Sequence, residues 1–124
     1  MMAPGDETVA LEAMTFRLHD EVERLASAPA GAPQNRAART LVKEGRMRVT
    51  MVTLSAGAEL SAHHTDGPIT VHVLRGHIHF REGGREHALG PGDLLALPAG
   101  VEHAVETPDG AAFLLTVALP LPQG

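Results

Sequence analysis

From residue 40 to residue 119 the chain is cut into short apolar stretches by glycine and proline, and this punctuation restricts the fold more than any other feature. Turns are marked at Asp66-Gly67-Pro68, Gly76, Gly83-Gly84, Gly92-Asp93, Pro98-Ala99-Gly100 and Pro108-Asp109-Gly110. A helix does not persist through such breaks. Between them side chains alternate with a period of two, which is the strand signature. Ile69, Val71 and Val73 fall on one face, with Thr70, His72 and Leu74 on the other. Ile78 and Phe80 oppose His77 and His79 in the same way. Gly83-Gly84 predicts a hairpin between residues 80–82 and 85–89. Leu94, Leu95 and Leu97 read as a short buried strand, and residues 111–119 as the last and most apolar one. In residues 47–54, Met47, Val49 and Met51 share a face before the phase changes at Val52 and Leu54. That change predicts either a bulge or a strand buried on both faces. Many short strands at regular spacing imply an all-β sandwich or barrel.

The N-terminal third differs. Residues 1–8 are expected to be disordered. Residues 20–28 suit a short helix, with Asp20 and Glu21 in the first turn, where the helix dipole favours negative charge. Phe16, Leu18, Val22 and Leu25 then share a face, and residues 28–36 read as a loop. The expected organisation is an arm with a helix and loop at 1–39, a β-barrel at 40–119 and a short tail at 120–124. At 124 residues this is one domain.

Composition narrows the function. There is no cysteine, so neither a disulfide framework nor a thiolate metal site is available. The formal charge is −5, and Trp and Tyr are absent, which argues against a nucleic-acid partner. No apolar stretch has transmembrane length. The N-terminus is acidic and does not read as a signal peptide, so a cytoplasmic location is expected. Eight histidines are the unusual enrichment.

Two of those histidines lie in recognisable surroundings. Gly92, Pro98, Gly100 and His103 match the pattern G-x5-P-x-G-x2-H-x3-N, with Thr107 in place of the asparagine. Gly57, His63 and Gly76 match G-x5-H-x-H-x3-E-x6-G, with Thr65 in place of the second histidine and Ile69 in place of the glutamate. The two segments resemble the paired motifs of the cupin superfamily, of the small RmlC-like kind. The resemblance covers roughly residues 40–119, most of the chain. It implies a double-stranded β-helix, a jelly-roll barrel open at one end. It also implies that His63 and His103 point inward, where their counterparts bind a divalent metal.

Imidazole suits Zn, Fe, Ni, Mn or Cu, so two ligands do not identify the ion. A useful site needs three or four protein ligands. Thr65 is a poor one and Ile69 is none. His64 is the nearest substitute if a local turn brings it round. The alternative is a metal-free cavity lined by His63 and His103, hydrogen-bonded to each other or to water. Thr65, Ile69 and Val71 are candidate cavity residues. Glu59, Arg75 and Glu102 are candidates for its rim, where a carboxylate could serve as acid, base or stand-in ligand. His19 and His87 read as surface residues. Ile69 in place of a carboxylate makes the interior more apolar, which favours small uncharged ligands.

The expected function is binding of a small molecule, with or without a divalent metal, in the barrel. The alternatives are a metal-dependent enzyme of dioxygenase or isomerase type, and a sensory module acting through a partner chain. A homodimer is expected, with Leu74, the N-terminal segment and the last strand as contact surface.

Overall fold

The computed structural model describes residues 12–26 and 35–120. The expectations for residues 1–8 and for most of the 28–36 loop lie outside them. Helix α1 (Leu18–Ala26) is followed by β1 (Arg36–Glu44), β2 (Met47–Leu54), β3 (Glu59–His63), β4 (Ile69–Gly76) and β5 (Ile78–Glu82). Then come β6 (Arg85–Leu89), β7 (Leu94–Leu97), β8 (His103–Glu106) and β9 (Ala111–Ala118). The helix starts two residues earlier than the sequence suggests, and β1 starts at Arg36, ahead of residue 40. No helix among the described residues is long and apolar enough to cross a membrane.

The strands form two antiparallel sheets, one ordered β1-β2-β9-β4-β7 and the other β3-β8-β5-β6. This is an all-β jelly roll, the double-stranded β-helix that the sequence motifs imply. The main core lies between the sheets and includes Val52, Leu54, Val71, Val73, Ile78, Phe80 and Phe113. A second cluster sits outside the larger sheet, where Val22 of α1 packs on Met51 and Ala112, with Leu18, Leu25, Leu41, Leu74 and Leu114 around them. The phase change in β2 follows from these two cores. Met51 faces the helix while Val52 and Leu54 face the interior. Pairing of β2 with β9 runs unbroken from Met47–Ala118 to Leu54–Ala111, so β2 is a strand covered on both faces. The bulge lies on β1 instead, between Thr40 and Val42.

Two expectations are corrected here. Leu94 is 65% exposed because β7 is an edge strand, and only Leu97 of that run is buried. Leu74 lies in the cluster beneath α1 and offers no free contact surface, whereas β9, central between β2 and β4, still presents Thr116 and Ala118 on the uncovered outer face.

The hairpin that carries part of the candidate site is set by its turn. Gly83 and Gly84 have φ of 53° and 80°. Positive φ at both central residues defines the type I′ turn, whose twist matches the strands and which glycine adopts without steric cost. It fixes the register Glu82–Arg85, Phe80–His87 and Ile78–Leu89. Thr107 closes the other end of the barrel. Its buried hydroxyl donates to the His77 carbonyl at 2.7 Å and accepts from the Gly110 N–H at 3.0 Å.

Candidate functional site

His63 ends β3 and His103 begins β8, and the two are direct cross-strand partners. Their rings meet edge to face with centroids 4.3 Å apart. The Phe80 ring stacks on the other side of His103 at 5.2 Å. Two motif loops bring them together, since the Gly100 N–H donates to the Thr65 carbonyl at 2.8 Å.

Each imidazole is anchored through the same atom. Nδ1 of His63 lies 2.8 Å from the Ser61 carbonyl, and Nδ1 of His103 lies 2.9 Å from the Val101 carbonyl. A carbonyl only accepts, so in the neutral ring Nδ1 carries the proton and Nε2 keeps its lone pair. His103 is 4% exposed. Burial pushes its pKa below the ordinary imidazole value, the hydrogen bond to Val101 opposes this, and His63 and His64 add to the lowering. His103 is therefore a neutral acceptor at physiological pH.

Behind the pair lies a cavity of about 50 Å³ whose walls include Ile69, Val71, Phe80 and Phe113. Ile69 and Val71 line this cavity and Thr65 does not. Its hydroxyl donates to the Gly67 carbonyl at 2.9 Å and is used up in the turn.

The candidate rim residues separate. Glu102 is exposed and lines an open hollow of about 310 Å³ beside His103 and the tip of the β5–β6 hairpin. Glu59 pairs with Glu106 at the far end of β3 and lines neither this hollow nor the inner cavity. Arg75 points away from the barrel mouth. A bulge in β4 between Val73 and Arg75 breaks the alternation and pairs Arg75 with Ala112, on the helix side of the sheet. There its guanidinium is 2.6 Å from Glu23 of α1 and holds that carboxyl below its usual range.

The fit to a metal is poor. Among the described residues, no three His, Asp or Glu side chains stand together as an ion would require. His64 is exposed and lies outside the cavity lining, so it does not complete the pair. The position of the family's carboxylate is filled by the buried Ile69. Two imidazoles are half of a closed tetrahedral shell. The described residues do not make a resident metal centre.

Sequence reasoning missed two residues, Glu82 and His87. Residues paired across a sheet share a face, so the pairings define rows. His63, His103, Glu82 and Arg85 form one row across the smaller sheet, and Leu60, Val105, Phe80 and His87 form the next. Phe80 is buried in the interior, so Glu82, two residues on, shares its inward face. His87 is its cross-strand partner and faces inward too; it is half-buried and 2.8 Å from Glu82. The signal was the Ile78-Phe80-Glu82 alternation carried through the two-residue turn.

The sequence profile described as Cupin domain matches residues 50–118. No curated protein sequence matches the chain. Solved structures resemble it. A conserved protein of unknown function from Streptococcus pyogenes is 25% identical with a TM-score of 0.67, over 73% of this chain and 80% of that one. A cupin superfamily protein from Desulfitobacterium hafniense is 19% identical with a TM-score of 0.69, over 77% and 87%. The DMSP lyase DddQ of Ruegeria pomeroyi is 24% identical with a TM-score of 0.66, over 79% of this chain and 54% of the lyase.

Proposed function

The chain belongs to the cupin domain family, and from that premise we propose that it binds a small, largely apolar molecule at the open end of its barrel through His63 and His103. The paired imidazoles accept hydrogen bonds from a hydroxyl or other neutral donor on the ligand. An apolar group of the ligand enters the inner cavity beside Ile69, Val71 and Phe80. One observation carries this reading. Both Nδ1 atoms are held by backbone carbonyls, which leaves two Nε2 lone pairs beside an apolar cavity. His103 is buried and His63 exposed at the mouth, and a hydrogen bond is stronger where water is excluded, so the His103 acceptor selects a donor of matching shape.

The test is ligand-observed NMR with short-chain alcohols and 1,2-diols, on the full chain and on the His63→Ala/His103→Ala double variant. Saturable binding by the wild type and its loss in the variant are expected. Equal binding by both proteins would refute the role of the pair.

The reading includes a homodimer formed through the larger sheet. Outside the helix-covered area its outer face leaves Met47 and Leu94 exposed. Thr70, Ala96, Thr116 and Ala118 line an apolar hollow of about 410 Å³ there. Such a surface supports pairing with a second copy.

A further inference from the structure

The geometry points to a second ligand site, independent of the His63–His103 pair, in the cleft between β6 and β7: a pocket for an apolar compound bearing a weakly acidic hydroxyl, such as a phenol or enol, bound as its anion. The cleft holds about 600 Å³, within the range of small-molecule sites. Leu89, Leu95, Leu97 and Val101 are among its apolar walls. Its charged or titratable lining groups are Glu82, Arg85 and His87, gathered on the hairpin side.

These three groups supply complementary chemistry. His87 Nε2 lies 2.8 Å from a Glu82 carboxylate oxygen. A carboxylate accepts, so Nε2 carries a proton, and in the neutral ring Nδ1 keeps its lone pair. Among the described residues Nδ1 of His87 has no hydrogen-bond partner. An imidazole whose tautomer is fixed by a carboxylate is arranged to take a proton. The Arg85 guanidinium is 78% exposed and 4.0 Å from Glu82, free to turn towards a ligand oxygen. On binding, the ligand O–H bond breaks and its proton moves to His87 Nδ1. The imidazolium remains against Glu82, and the ligand oxyanion faces Arg85. Starting from the neutral ring, net charge among Glu82, Arg85, His87 and the ligand is zero before and after.

A neighbouring pair shows why this is more than a surface contact. His79 and Glu86 on the same hairpin are also hydrogen-bonded, at 2.7 Å. Glu86 is 50% exposed and Glu82 only 14%. The outer pair faces solvent, while the inner one faces an apolar wall. The two imidazoles are equally exposed, at 35% and 36%, so the difference lies in the carboxylate: Glu82 holds His87 with less competition from water than Glu86 meets.

The probe is p-nitrophenol, whose phenolate is yellow. The full chain is titrated at a fixed pH at which the free probe is half ionised. Binding is expected to raise the phenolate absorbance. His87→Gln and Arg85→Ala should each weaken binding by about tenfold or more, the worth of one charge-assisted hydrogen bond. Arg85 is exposed, so its variant keeps the fold, and circular dichroism checks both. His79→Gln should bind as the wild type does. No absorbance change with the wild type would overturn the assignment, as would a rise retained in both His87→Gln and Arg85→Ala. The His63→Ala/His103→Ala variant separates the two sites: its loss of alcohol binding bears on that pair alone, and phenolate binding bears on this cleft.

Discussion

His103→Phe tests the electrostatics of the buried imidazole. Phenylalanine fills a similar volume and keeps a ring against Phe80, whose centroid lies 5.2 Å away in the wild type. At high pH the variant loses the hydrogen bond from Nδ1 to the Val101 carbonyl, which is 2.9 Å long. A typical net loss is about 0.5–1.5 kcal/mol. At low pH the balance moves the other way. The folded-state pKa of His103 lies below its ordinary value of 6.5, chiefly through burial. The unfolded chain therefore binds the proton more readily, and wild-type stability falls as pH drops below that value. The loss develops between the unfolded and folded pKa values and levels off below the folded one. Each pKa unit of depression corresponds to about 1.4 kcal/mol. The variant has no such group, so the stability difference between the two proteins must shift in its favour with acid. Urea unfolding from pH 5 to pH 8, followed by far-ultraviolet circular dichroism, measures this; the chain has no Trp or Tyr to serve as a fluorescence reporter. A difference that stays constant across that range would refute the burial argument, whatever the two proteins do separately.

Other perturbations have expected outcomes. Thr107→Val removes the hydroxyl that links the His77 carbonyl to the Gly110 N–H, and should cost about 1–3 kcal/mol in urea unfolding by leaving both groups unpaired. Thr65→His/Ile69→Glu rebuilds the missing half of the family's donor set. That double variant should retain a divalent metal through gel filtration and gain thermal stability from it, and the wild type should do neither. Ala96→Arg places a charge in the apolar hollow on the outer face of the larger sheet. Sedimentation velocity should show a dimer for the wild type and a monomer for this variant.

Much of the barrel was legible because turn residues and alternation agree along the chain. Gly83-Gly84 and the Ile78-Phe80 phase gave the hairpin, and Ile69, Val71 and Val73 gave the inward face of β4. The failures have separate physical causes. Arg75 shares the parity of Val73, and only the bulge in β4 turns it to the helix. A run such as Leu94-Leu95-Ala96-Leu97 looks alike at a sheet centre and at an edge, because pairing partners are not local. Nearness to His63 in sequence makes Glu59 read as a residue of the mouth. Four residues of extended strand span about 13 Å, so that nearness put it at the opposite end of β3.

His87 is the most instructive miss. Taken alone, a histidine in a polar hairpin reads as solvated. Phe80 is inward because it is apolar, and the turn length pairs it with His87. Parity then carries the inward direction across the hairpin to both Glu82 and His87. The same step shows why the substituted motif does not leave the barrel mouth inert. Where the family pattern has a carboxylate on β4, this chain has Ile69, yet Glu82 supplies a carboxylate on β5, in the row of His63 and His103. That carboxylate is engaged by His87, not by the histidine pair. On the functions proposed, polar chemistry in this barrel is divided between two imidazole groups: a pair anchored through Nδ1 to backbone carbonyls, and a ring backed by a carboxylate.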